Sequence, residues 1–306
     1  GMVSRAKALG YHVLGAVNAD FFSLSTRVPM GIVVENGVYK SSPEGENAIA
    51  FRADGSAFLS TPEITLTLTN QGGNFFTYNG GQTITLTHLN KSRSGTGLYL
   101  YNESFSTVST RTTKPGWMAR LKVVEGELTL DSTVTLEVED VFHTDGETYP
   151  HAQPIGEGYY ILTAADTAGK DAEFAKLAVG DRVTLSASCS DEAMSQAVWA
   201  CGGGDILVRD GAVTDSSTWD SAISTARHPR TLLGIRQDGA VQLTVADGRK
   251  TSHSNGLTLT MAAEELLSQG CTTVINLDGG GSSALAVQTP GNSGSVVVNR
   301  PSDGSQ

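Results

Sequence analysis

The sequence predicts an α+β fold, with strand-rich mixed sheets and a few helices packed on them, and three observations carry that expectation. Thr- and Val-rich segments alternate apolar and polar residues with period two, the pattern of half-buried strands. Asn-Gly and Asp-Gly dipeptides stand between apolar runs, where a tight hairpin needs φ > 0 at its turn. Helical signals are few. In chain order, residues 3–9 read as a short helix and 11–17 as a strand leading into Asn18-Ala19-Asp20-Phe21-Phe22. Residues 30–35 and 38–41 flank Asn36-Gly37 as a hairpin, and Asp54-Gly55 and Asp238-Gly239 occupy similar settings. Alternation recurs at 63–69, 83–87, 97–101, 118–124 and 133–141, while the polar, Gly/Asn-rich stretch 69–81 reads as a long loop. A helix is expected at 170–177. The clearest helix spans 261–269, with Thr260 as N-cap, Leu266 and Leu267 on one face, and Gly270 as C-cap. An apolar strand at 273–277 runs into the turn 278–283, and residues 282–287 can return as a strand. The polar tail 301–306 is expected to fray.

A chain of 306 residues with 39% hydrophobic and 17% charged residues can bury a sizeable core and is not expected to be disordered. The net charge of −11 argues against a nucleic-acid partner, which would require a basic face. It leaves room for a small phosphorylated ligand, for which one local Arg/His cluster is enough. Cys189, Cys201 and Cys271 form no CxxC motif, so neither a disulfide framework nor a zinc site is expected. No apolar run approaches the ~18 residues of a transmembrane segment. Gly1 ahead of Met2 reads as an expression scar, so the residues leave open whether a signal peptide or anchor was removed upstream.

Four stretches can carry chemistry. In Asn276-Leu277-Asp278-Gly279-Gly280-Gly281-Ser282-Ser283, three glycines remove every Cβ, so successive amides can form a concave anion site beside a carboxylate. A plain Gly-rich hairpin turn reads equally from the same residues. Residues 227–253 gather Arg227, Arg230, Arg236, Arg249 and Lys250 with His228 and His253 in an otherwise acidic chain. Pro229 fixes the entry to Arg230, whose planar fork suits phosphate; a solvated basic face is the alternative. Asp247 beside Arg249 is either a second carboxylate–guanidinium site or a surface ion pair. Asn18 and Asp20 project from one face of an extended segment, and Phe21 or Phe22 can stack on a sugar or simply pack in a core. The Walker and GxSxG signatures are absent, which leaves Ser282 and Ser283 weak as acyl-enzyme nucleophiles.

Together these stretches resemble the phosphodiester glycosidase family. The matching pieces are AVNADFF at 16–22, PMGIVVENG at 29–37, WACGGGDILVRDG at 199–211, HPRTLLGI at 228–235, VADGR at 245–249 and SNGLTLTMAAEELLSQG at 254–270. They end with INLDGGGSSALAV at 275–287 and VVNRPSDG at 297–304. The order is that of the family. The stretch 60–155 is less family-like, and Ala19 and Ala284-Leu285 depart from the family's usual Gly and Thr-Met. The resemblance implies one domain over 1–306, lacking strands that the family carries further upstream, and an extracellular or cell-envelope location.

It also implies hydrolysis of the bond between an anomeric carbon, N-acetylglucosamine-like, and the phosphate of a diester. The leaving phosphate is weakly basic, so charge stabilisation matters more than general-acid help. Asp278 is expected as nucleophile or base, with Asp20, Asn18 and Asp247 in the catalytic set. Arg230, Thr231, Arg249, Asn276, Gly279, Gly280, Gly281 and Ser282 form the expected phosphate- and substrate-binding set. No cofactor is required; calcium stays open, since carboxylates are present without DxDxDG spacing. The partner is a small or polymeric phosphoglycan. A cell-surface glycan-binding protein, or a metal-assisted phosphodiesterase cutting the P–O bond, would use the same residue types.

Overall fold

The computed structural model describes residues 2–72, 81–288 and 294–303. It is strand-rich with few helices, the expected α+β class. The chain forms two compact units, each assembled from separated stretches of sequence: residues 22–45 with 60–200, and 1–21 with 46–59 and 201–306.

In the 22–45/60–200 unit, eight strands form one sheet in the order Thr83–Leu86, Ile64–Gly72, Arg182–Cys189, Ser132–Thr144, Gly116–Glu125, Tyr159–Ala165, Tyr99–Tyr101, His88–Leu89. Only the last pair is parallel. Period two sets the burial: Leu66, Leu68 and Asn70 of one strand point into the core while their neighbours face outward. Asn70 is tolerated there because its amide nitrogen donates to the Asp181 carboxylate (2.7 Å) and the Lys176 carbonyl (2.8 Å). The Val33–Glu35 and Val38–Ser41 hairpin turns on Asn36 (φ 53°) and Gly37 (φ 83°), as the dipeptide requires. The preceding Pro29-Met30-Gly31 is gripped by the buried Lys91, whose ammonium donates to all three carbonyls.

The expected loop at 69–81 is shorter at its start than the composition suggested. The strand continues to Gly72 because Arg182 supplies a ladder partner, and 73–80 lie outside the described residues. The helix expected at 170–177 is a single turn, Asp171–Phe174.

The other unit is built on a five-stranded antiparallel sheet in the order Ala212–Val213, Ile206–Arg209, Cys271–Leu277, Arg230–Arg236, Val241–Ala246. Its central strands are apolar on both faces because both are covered. Leu232 and Val274 pack under the helix Leu259–Ser268, with Leu259, Ala262, Ala263 and Leu266 fully buried. Leu233, Ile275 and Leu277 face the other way, against Ile49, Phe51, Leu59 and Ala19. Each such leucine contributes about 1.5–3 kcal/mol by leaving water.

That helix starts two residues earlier than expected. Thr258, not Thr260, is the N-cap, its hydroxyl accepting from the Met261 amide at 3.2 Å, because Leu259 is itself drawn into the core. Gln269, not Gly270, is the C-cap, and Gly270 follows it at φ 88°, turning the chain out of the helix. Gly15–Val17, Leu285–Gln288 and Ser295–Val297 make a third, small sheet. The strand expected over 11–17 is confined to its last three residues, where Leu285–Val287 offer partners. The return strand starts only at Leu285, because Gly280–Ser282 wind into a 3₁₀ turn first. Residues 304–306 of the tail lie outside the described residues.

Candidate active site

Where the Arg230–Arg236 and Cys271–Leu277 strands end together, Thr231 pairs with Leu277 and the chain passes into Asp278. Asn18 locks this point. Its amide nitrogen donates to the Asp278 carbonyl (2.5 Å), and its oxygen accepts from the Thr231 hydroxyl (2.8 Å) and the Ala284 amide (3.1 Å). Asp278 N–H donates in turn to the Ala19 carbonyl (2.8 Å). Asn18 and the fully buried Thr231 are thus committed to one another and to the backbone. The Asp278 carboxyl is only half-buried. Burial pushes its pKa above the ordinary value, and hydrogen bonds from the Ser282 hydroxyl and the Gly279 N–H offset that only in part.

The three glycines act differently from the open array of amides expected of them. Gly280 N–H donates to the Pro229 carbonyl (2.9 Å), and Gly279 N–H serves Asp278. What the turn supplies instead is the absence of side chains, with a different group resting on each glycine. A Cβ on Gly279 would stand 2.8 Å from the Pro229 carbonyl oxygen. On Gly280 it would stand 3.0 Å and 3.1 Å from Nη2 and Nη1 of Arg249, and on Gly281 1.9 Å from Oδ2 of Asp303. Gly280 also lies at φ 59°. A guanidinium and a carboxylate therefore close on this turn from outside.

The two arginines of the expected binding set present their forks differently. Arg230 is 2% exposed, and its fork is turned into the protein: Nε donates to the Leu257 carbonyl (2.9 Å), Nη2 to those of Ile223 (2.6 Å) and Ala226 (2.9 Å). Three of its five donors are engaged, so it is not placed as the expected bidentate fork. Arg249 is exposed, holds a left-handed backbone (φ 56°) and, besides resting on Gly280, meets the His228 ring, with Nε and Nη2 both 3.4 Å from Nδ1. Burial lowers the His228 pKa, and the charges of Arg249 and Arg230 lower it further. Burial and Arg249 likewise lower Arg230. Two guanidiniums and an imidazole that disfavour one another's charge make a place where an anion is welcome.

Asp247 is committed to holding the segment that follows the Ser295–Val297 strand. Oδ2 bonds His253 Nε2 (2.9 Å), while Oδ1 accepts from Asn299 Nδ2 (3.1 Å) and the Arg300 amide (2.9 Å). Burial alone would raise its pKa, but the His253, Arg300 and Asn299 bonds outweigh that and leave it lowered. Asn276 is 1% exposed with a buried Oδ1 that has no partner among the described residues, and its amide nitrogen borders Gly204. Asp20 lies near Cys201, which burial and then the Asp20 charge raise to about 12, and the Phe21 ring packs on Gly204. Among the described residues no group of three or more His, Cys, Asp or Glu side chains converges as a metal would need.

Three groups at this site had no role assigned from sequence: His228, Asp303 and Asp205. Asp205 accepts from the Asp220 amide (3.2 and 3.1 Å), is raised by burial and senses the Arg230 charge. All three lie inside the motifs that signalled the resemblance, so position within a motif was the available signal.

A family model described as phosphodiester glycosidase matches residues 132–306. The SPbeta prophage-derived uncharacterized protein YomE of Bacillus subtilis (strain 168) is 36% identical over 100 residues, 32% of this chain and 14% of that protein. A hypothetical protein from Synechocystis has a crystal structure that superposes with a TM-score of 0.72 at 21% identity, covering 93% of this chain and 49% of the other. A candidate exported protein of Burkholderia pseudomallei K96243 gives 0.68 at 20% identity, covering 98% and 64%. At these identities the two structures establish a shared fold, and this chain spans half to two-thirds of their length.

Proposed function

Because the chain belongs to the phosphodiester glycosidase family, we propose that it hydrolyses the bond between a sugar's anomeric carbon and a diester phosphate, with Asp278 at the reacting carbon. The family supports a glycosidase-type action on phosphodiesters; the residue roles and the sugar are this proposal. The observation that carries it is the packing of the Arg249 guanidinium on Gly280, two residues from a half-buried aspartate of raised pKa.

In this reading the diester phosphate lies against Arg249, whose Nη1 and Nη2 offer the fork expected of Arg230. His228 donates beside it: with Nδ1 turned to Arg249, the proton of the neutral ring sits on Nε2. Arg230 contributes charge from within the wall. Asp278, ionised, acts as nucleophile or takes the proton of the attacking water. The anomeric C–O bond breaks, its electron pair leaves with the phosphate monoester, and the sugar gains the hydroxyl. Asn18 and Thr231 act as positioning residues that fix the backbone of Asp278. Asn276, Asp20 and Ser282 line the sugar side, and Asp247 secures the C-terminal segment that brings Asp303 to Gly281. The sugar is an N-acetylhexosamine of a phosphate-linked envelope glycan, met outside the cell. Among the described residues no helix is long and apolar enough to cross a membrane.

The test is turnover of an aryl phosphodiester of N-acetylglucosamine in oxygen-18 water, in parallel with Asp278→Asn. Label in the sugar, and collapse of turnover in the variant, are expected. Label in the phosphate would assign the cut to the P–O bond instead.

A further inference from the structure

The 22–45/60–200 unit contains a cavity of about 430 Å³, within the range of small-ligand sites. Seven of its thirteen lining residues are Ser or Thr, three are cations (Arg93, Arg111 and Lys114), and none is Asp or Glu. In a chain of net charge −11, a lining with cations and no acid is a departure that calls for a ligand. The acid that Arg93 senses, Asp166, is outside the lining and bonded to His143 at 2.8 Å.

The wall is built rather than loose. Arg93 Nη1 donates to the Thr163 hydroxyl (2.8 Å) and Nη2 to the Lys114 carbonyl, so a half-buried guanidinium pins the backbone that carries Lys114. Lys114 itself is exposed. Arg111 holds a left-handed backbone (φ 53°), an uncommon conformation for a residue with a long side chain. Its guanidinium stands 5.2 Å from the centre of the Phe105 ring. The Thr110 and Thr112 hydroxyls bond one another at 2.9 Å, and Thr112 donates to the His151 carbonyl, which fixes the backbone on either side of Arg111.

We propose that this cavity is a second, non-catalytic binding site for a phosphate-bearing sugar unit. The two exposed cations take the phosphate, and the hydroxyls of the lining exchange hydrogen bonds with those of the sugar. A neutral sugar would leave the cations unused, and a purely apolar ligand would strand the hydroxyls. None of these residues belongs to the Asp278 site, so the proposal stands whether or not that reading does.

The experiment follows backbone amide shifts by NMR while N-acetylglucosamine 1-phosphate, inorganic phosphate or neutral N-acetylglucosamine is titrated in. Saturable shifts at Gly95 and at residues 111–114 are expected with the sugar phosphate, at lower concentration than with either fragment. In Arg111→Gln/Lys114→Gln the affinity at these amides should fall about tenfold or more, the scale of losing charge-assisted hydrogen bonds. Both side chains are exposed, so the remaining spectrum should be unchanged, and so should turnover of a small aryl phosphodiester. Absence of shifts at these amides, or equal affinity in the variant, would overturn the site. Inorganic phosphate binding as tightly as the sugar phosphate would overturn the sugar, and a parallel loss of turnover would overturn the non-catalytic role.

Discussion

The Asp278 site and the Arg93–Lys114 cavity use arginine in the same two ways. Each has one guanidinium drawn into the wall, Arg230 or Arg93, its donors engaged by backbone carbonyls and its pKa lowered first by burial. Each has a second on a left-handed residue, Arg249 or Arg111, set against a ring, His228 or Phe105. The difference lies in the acids. Asp278 opens the glycine turn of the first and Asp303 rests on it, while no carboxylate lines the second. Cationic presentation alone provides binding; adding a carboxylate of raised pKa provides a group that can form a bond or move a proton.

That comparison can be broken most directly at Asp278. Asp278→Asn should lower kcat by about 10²–10⁴-fold while circular dichroism remains native, whereas no single change in the cavity should touch kcat. The wall and presented arginines should then separate. Arg249→Lys should cost roughly tenfold in kcat/KM with little change in Tm, since a point charge replaces a fork. Arg230→Lys should lower stability by about 2–4 kcal/mol in urea titration, since buried carbonyls lose their donors. Equal effects of the two on stability would abolish the distinction.

Gly281→Ala should cost about 1–3 kcal/mol and reduce activity, because the new methyl would collide with the Asp303 carboxylate. The smallest expected effect concerns pH. The folded-state pKa of Asp278 lies above that of the unfolded chain, so its proton favours the fold. The associated stability is present at low pH and is lost as pH rises through the raised value. Asp278→Asn should therefore be slightly more stable than the parent near pH 7, the two converging below about pH 4. The acid limb of activity should likewise lie above the ordinary aspartate range.

Much of this architecture is written locally in the chain. The Asn36-Gly37 hairpin and the alternating strands follow from turn chemistry and period two, which act within a few residues. The family was legible because INLDGGGSS and HPRTLLGI are long, ordered strings. The helix start was not, because Thr258 and Thr260 both suit an N-cap, and burial of Leu259 decides between them. Which arginine meets the glycine turn was equally hidden. Arg230 stands on a strand beside Thr231, and only the packing of the neighbouring carbonyls shows that its fork turns inward. Triple glycine suggests a nest of amides as readily as a seat for Arg249 and Asp303; the two differ in what approaches from elsewhere in the chain. The cavity was silent for the same reason, since loops around residues 25, 93 and 112 meet there without a shared motif.

The Asn18 clasp has a practical consequence. One amide group joins three separate stretches of chain at the point where Asp278 emerges, so the Asp278 carboxylate is registered to its scaffold independently of the surrounding loops. Substrate preference can therefore be redesigned by exchanging those loops while the clasp is left untouched. A library that randomised Asn18 together with them would discard the reference point against which every other change is measured.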